Sequence, residues 1–173
     1  MLVFCKCGCN HIDDILCFYI CLWSVKQLNS IVKLWNEHSL PIKDGIYWAD
    51  GGSIAMDIIA YPFPSVEKKE TFSLDAFLQE HHDEITSIDI FKKIPLPTEN
   101  KYVWIGEGSY GSEGFIALID ENDCLIWVMY AEESNPFVSI EECASGSILA
   151  ISSLGLKLII DIDNPQNVKL ANV

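Results

Sequence analysis

The 173-residue chain has no arginine. All 11 of its cationic side chains are lysines, set against 25 Asp and Glu, for a formal net charge of −14. Arginine is the residue whose planar fork grips phosphate and guanine through paired hydrogen bonds. An acidic chain without it repels a phosphate backbone instead of releasing its counterions. Nucleic acid is therefore disfavoured as a partner, and so is an anionic membrane surface. A basic protein is the partner such a charge favours, because long-range fields speed the encounter of opposite charges.

A long apolar run is also missing. The most apolar stretch, ILCFYICLW at 15–23, is nine residues long, against the 20 or so that a membrane-spanning helix needs. Asp13 and Asp14 stand before it, where an export signal carries bases, and no Ala-x-Ala follows. Seven cysteines, an odd number, five of them between residues 5 and 21, point to reduced thiols rather than a disulfide framework. Together these features predict a cytoplasmic protein.

What is present is a chain that is 50% hydrophobic, enough for one domain with a sizeable core and short for two. Residues 1–23 read as a Cys-rich apolar segment compatible with a helix, and 24–173 as a single domain. Val25, Leu28, Ile31, Val32 and Trp35 fall at helical spacing, so 12–38 is expected to be one long helix or two short ones, stopped by Pro41. Gly51-Gly52 predicts a hairpin between strands at 45–50 and 54–61. Two prolines and the charged run Glu67-Lys68-Lys69-Glu70 predict a loop. Ser73 is a good N-cap for a helix over 74–84, with Asp75 in its first turn. From residue 86 the pattern turns to strands, at 88–94, 102–105, 115–120, 125–131, 147–152 and 156–162, with breaks at Pro95 and Pro97. The fold class expected is α+β, with N-terminal helices packed on a mainly antiparallel β-sheet.

The stretch WIGEGSYGSEGF, 104–115, contains Gly106-x-Gly108-x-x-Gly111, a spacing found in nucleotide-cradling loops. A dinucleotide loop opens a helix, whereas Phe115-Ile-Ala-Leu-Ile119 is a strand signal. A protein-kinase loop does lie between strands, but its partners are missing: no His-Arg-Asp, no Asp-Phe-Gly, and no lysine between Gly111 and Lys157. The stretch is expected to be a long hairpin turn whose glycines supply positive φ. Other constellations are weaker still. Cys5, Cys7, Cys9 and His11 alternate along an extended chain, which sets neighbouring ligands too far apart for one tetrahedral ion. His81-His82-Asp83-Glu84 diverges around a helix end. Cys124 would need a nearby histidine, His81 or His82, to act as a nucleophile, and core packing is the expectation for it, as for Tyr47, Trp48, Trp104 and Trp127. Neither a catalytic set, nor a metal, nor a cofactor is expected.

The stretch IGEGSYGSEGFIAL (105–118), followed by Trp127 and Ser134-Asn-Pro-Phe137, resembles the β-rich immunity proteins of bacterial polymorphic toxin systems, including contact-dependent growth inhibition. ILAISSLGLKLIIDIDNP (148–165) is similar to their closing strand pair. The resemblance implies a small, acidic, cytoplasmic, non-enzymatic protein that binds one cognate toxin domain, perhaps a nuclease, and occludes its active site. Residues 99–142 hold ten acids and one base, Lys101. The expected contact surface lies there: Glu107, Tyr110 and Glu113 on the glycine hairpin, Glu132 and Glu133 beyond the next strand. Alternation would turn Ile116, Leu118, Ile126 and Val128 to the core. Two other readings stay open, a small cytoplasmic enzyme with a thiol-based site and a plain structural or interaction domain. Oligomeric state is left open.

Overall fold

A computed structural model describes residues 28–96, 99–143 and 146–171. The Cys-rich segment 1–23, its Cys–His pattern and the first part of the helix expected over 12–38 lie outside the described residues. Among the described residues, twelve strands and two seven-residue helices carry the fold. This corrects the α+β expectation of helices packed on a sheet: the protein is mostly antiparallel β, and its principal layers are two sheets.

The larger sheet grows from a meander. Strands β5 (Ile85–Leu96), β6 (Lys101–Gly108), β7 (Gly114–Ile119) and β8 (Leu125–Ala131) pair in succession, each antiparallel to the next. A second meander, β2 (Gly45–Trp48), β3 (Ser53–Ile59) and β4 (Ser65–Thr71), joins it through β2 on β8, and the three-residue β1 (Ser39–Pro41) caps the other side on β5. The order is β1-β5-β6-β7-β8-β2-β3-β4. The smaller sheet is β9 (Phe137–Cys143), β10 (Ser147–Ser152), β11 (Lys157–Asp161) and the two-residue β12 (Lys169–Leu170), paired in chain sequence.

Alternation along the central strands feeds two cores. Val103, Ile105, Ile116, Leu118, Trp127 and Met129 face the smaller sheet, where Ile148, Ala150, Leu158 and Ile160 meet them. Trp104, Phe115, Ala117, Val128 and Tyr130 face the other way, onto Ile31 and Trp35 of helix α1 (Ser30–Asn36) and onto Leu74, the first residue of helix α2 (Leu74–Glu80). Trp35 packs on Trp104 at 5.7 Å between ring centroids and edge-on to Phe115 at 6.0 Å, geometries that aromatic quadrupoles favour. Ile116, Leu118 and Val128 are buried as alternation predicts, whereas Ile126 is half-buried, and Leu125 and Trp127 beside it are buried.

Several boundaries differ from the sequence reading for local reasons. Asn29 caps α1, its side chain accepting from the Val32 N–H at 3.2 Å, and the helix ends before His38, which has φ 54°. Pro41 is therefore not the stop; it lies in β1 opposite Ile85. Ser73 caps α2 as expected, accepting from the Ala76 N–H at 3.2 Å, but the helix ends at Glu80. The charged run 67–70 is not a loop. It lies in edge strand β4, whose acids and lysines discourage pairing with another chain. Pro95 does not end β5: it pairs with Tyr102, and only the region between Ile90 and Lys92 is irregular.

The Trp127 indole donates to the Ile162 carbonyl at 2.9 Å, within the core between the sheets. Replacing Trp127 by Phe removes that bond and part of the ring from a site that is 1% exposed. The expected loss is about 2–4 kcal/mol in urea unfolding with an unchanged m-value; a loss under about 0.5 kcal/mol would mean the sheets are not locked there.

Candidate functional site

Pairing brings one end of the larger sheet together: the end of β6, the start of β7, the end of β8 and the start of β2. Gly114 stands opposite Ala131, and Gly45 opposite Tyr130. The hairpin 109–113 and the segment 132–135 therefore emerge side by side, tied by the Asn135 N–H to the Ser112 carbonyl at 2.8 Å. Tyr110, Glu132 and Glu133, which the sequence analysis grouped, do lie at this end, and all three are exposed. Glu107 is half-buried in β6, across from Asp89 of β5.

Glu113 is a different case. Its sequence-based role as a surface contact does not fit its position, because the side chain is 1% exposed. The Tyr130 hydroxyl donates to one of its oxygens. The Thr86 hydroxyl, at 3.1 Å, and the Tyr110 N–H, at 3.2 Å, donate to the other. Thr86 Oγ1 in turn accepts from the Ser109 N–H at 3.0 Å. A buried carboxyl needs such donors, and here they come from β5, β8 and the hairpin itself. The glycines make room for it. A Cβ on Gly108 would overlap the Glu113 carboxyl, and one on Gly106 would overlap the Asp89 carbonyl. Only Gly111, of the Gly106-x-Gly108-x-x-Gly111 trio, has positive φ, at 78°. The motif is thus a hairpin as expected, but two of its three glycines serve close approach and not left-handed backbone.

Beyond Glu132 lies a cleft of about 650 Å³ between the link 42–44, β3, β4 and α2. Asp44, Asp57, Glu70, Glu84 and Glu132 line it together with Lys43, Lys69 and His81, over Ala55, Met56 and Phe77. Asp44 is held by backbone: the Glu132 N–H donates to Oδ1 at 2.6 Å and the Ile58 N–H to Oδ2 at 3.2 Å. Burial raises its pKa from 3.8 to about 6, partly offset by those two bonds and reinforced by Glu132 and Asp57. Burial also raises Glu132, with Glu113, Glu84 and Glu133 adding repulsion. The two lysines offset the five acids only in part. Lys69 bridges Asp57 and Glu67 at 2.8 Å each, and the Lys43 ammonium lies over the rings of Phe72 and Phe77 at 5.2 and 5.4 Å. Sequence reasoning missed Asp44; a lone aspartate between a lysine and a glycine carries no local signal of two strand-end donors.

The pairing of Cys124 with His81 or His82 loses its geometry. Cys124 is exposed in the turn before β8, not in the core. His81 lines the cleft with Glu132, just past the other end of that strand, with its ring against Phe77 at 4.8 Å. His82 is exposed and 3.3 Å from Asp83. Among the described residues no group of three or more His, Cys, Asp or Glu is arranged to hold a metal ion, and no helix is long and apolar enough to cross a membrane. Comparison of the chain with family models, curated proteins and solved structures finds no match.

Two outcomes follow from this geometry. Gly106→Ala and Gly108→Ala should each cost about 2–4 kcal/mol of unfolding free energy, from overlap with a carbonyl and a bonded carboxyl. Gly111→Ala, at an open position with positive φ, should cost about 1 kcal/mol; equal losses at all three would refute the close-approach account. The pH dependence follows from Asp44. Its folded pKa lies above its unfolded value, so between pH 4 and about 6 the folded state holds the extra proton and stability falls as pH rises. Below that window the penalty is absent, and above it the penalty stays constant at ~3 kcal/mol. Asp44→Asn should flatten this part of the stability–pH curve; a curve with the parent's slope would clear Asp44.

Proposed function

We propose that the chain is an immunity-type inhibitor that acts in the cytoplasm, binds a basic toxin domain and blocks its active site without chemistry of its own. The observation that carries the reading is the gathering of Tyr110, Glu132 and Glu133 at one end of the larger sheet, beside a cleft with more acids than bases. Acid of this density steers a cationic surface on approach. Tyr110 is 74% exposed at the tip of a hairpin pinned from beneath by Glu113, and a tyrosine already held in place loses little entropy when it anchors a partner. The stretch that resembles immunity proteins, 105–118, is the hairpin that presents it. Contacts to the toxin come from Glu107, Tyr110, Glu132 and Glu133, while Glu113 supports the hairpin from inside.

The test is co-expression with the product of the adjacent reading frame, scored for rescue of growth, followed by binding kinetics on that pair. Glu107→Lys, Glu132→Lys and Glu133→Lys combined should leave the unfolding midpoint nearly unchanged. They should slow association about tenfold or more at low salt and reduce its salt dependence, and Tyr110→Ala should speed dissociation. Unchanged kinetics in both variants would place the interface elsewhere. An absence of rescue would remove the immunity reading.

A further inference from the structure

Loop 60–64, Ala-Tyr-Pro-Phe-Pro, joins β3 to β4, two of the strands that line the cleft. Tyr61 is 74% and Phe63 83% exposed. A bridge from Ile59 to Glu133 holds the base of this loop against the segment that carries Glu132 and Glu133. Two prolines restrict its backbone further. Large aromatics this exposed on a restrained loop are out of place on a surface that meets only water, and they are the residue types that dominate interface energetics. The base of the aromatic loop and the cleft thus meet at one segment, Glu132–Glu133.

The cleft has the chemistry of a pocket for one long cationic side chain. Its lining is apolar at Ala55 and Phe77, the Phe77 ring lies against His81, and Asp44 and Glu132 contribute carboxyl groups. Of the cleft's two lysines, Lys69 is paired with Asp57 and Glu67, and Lys43 rests on the Phe72 and Phe77 faces. An aliphatic stem would lie on Ala55, and a planar guanidinium would meet a ring face and donate to two carboxyl groups at once, which a lysine ammonium does less well. Each Asp44 oxygen takes one backbone N–H and keeps a further lone pair.

We propose that the cleft between the link 42–44, β3, β4 and α2 receives an arginine side chain of the bound protein, with Tyr61 and Phe63 seated against the surface around that arginine. This rests on the function proposed above for its partner, and it adds the residue that the partner inserts. Because the partner supplies the arginine, a free small guanidine should bind only weakly, and an arginine flanked by apolar residues should bind better through the rim.

The experiment uses the full chain and amide chemical shifts at pH 7.5. The probes are N-acetylarginine methylamide, its citrulline counterpart with a neutral urea in place of the guanidinium, and the peptide acetyl-Leu-Arg-Leu-amide. The arginine amide should give saturable shifts at Asp44, Met56, Ile58 and Glu132 at millimolar concentration, and the citrulline compound none. The tripeptide should bind at least threefold more tightly and add shifts at Tyr61 and Phe63. Glu132→Gln, whose exposed side chain leaves the backbone bond to Asp44 intact, should weaken the arginine amide about threefold. Tyr61→Ala with Phe63→Ala should cancel only the tripeptide's advantage. Equal shifts with arginine and citrulline, or shifts spread over the surface without saturation, would overturn the cleft assignment. A tripeptide no tighter than the amide would remove the aromatic rim from it. These titrations need no toxin, so their failure leaves growth rescue standing, and a failure of rescue leaves a positive titration standing as a site for another arginine-bearing protein.

Discussion

Strand β7 offers no face to water: all six of its residues, Gly114 to Ile119, are buried. That single constraint organises the molecule. An antiparallel sheet with one apolar face can lie against solvent on the other, but the larger sheet is apolar on both faces at its centre and must be covered twice. The smaller sheet covers one face, with Ile148, Ala150, Leu158 and Ile160. Two short helices cover the other, with Trp35 and Leu74. Neither helix is long enough to be stable by itself. Each is held by its cap and by what it buries, which is why α1 and α2 belong to the sheet's cover and do not form a layer of independent weight.

This two-sided burial also explains what could and could not be read from the sequence. The hairpin at Gly51-Gly52, the cap at Ser73 and the strands in 102–105, 115–120 and 125–131 carry local signals, and all appear in the fold. The fold class was misjudged because periodicity at 25–35 fits a helix wherever it occurs, while the weight of the protein lay in strands that periodicity marks poorly. β4 hides in a run of charges because an edge strand needs no apolar face. β9 hides because Val138, Ser139 and Ile140 are only half-buried and Glu141 and Glu142 exposed. β5 runs through Pro95 because an antiparallel ladder leaves some N–H groups unpaired with the neighbour, so a proline at such a position costs little.

The glycine hairpin shows the same limit at the level of single residues. Tyr110, Glu132 and Glu133 were legible as a group because turn residues and charge are both local. Glu113 was not, since nothing within the hairpin distinguishes an acid that points outward from one that points under Gly108. The difference is made by Thr86 and Tyr130, 27 and 17 positions away. A glycine-rich loop can hold a phosphate by bringing backbone N–H groups to an anion. Here a loop of similar spelling closes over an acid of its own chain, with Tyr110 N–H as one donor. The likeness to a nucleotide loop is therefore a likeness of geometry around an oxygen acceptor, with the acceptor built in.

The acidic end of the sheet has an energetic consequence for whatever binds it. Asp44 is desolvated and faces Glu132 and Asp57, so its ionised form is held at a cost when the protein stands alone. Any cation that enters the cleft meets that ionised form, and its attraction offsets both the desolvation cost and the repulsion. The free energy that the fold gives up at neutral pH is thus recovered on binding, as differential affinity for the charged state. The backbone supplies the means. Two N–H groups, from Ile58 and Glu132, fix the carboxyl in place, so it does not have to be reoriented when the cation arrives. The same carboxyl that weakens the isolated domain is in this way a preorganised acceptor, and its position between β2 and the end of β8 exists only because the sheet's register brings Gly45 opposite Tyr130.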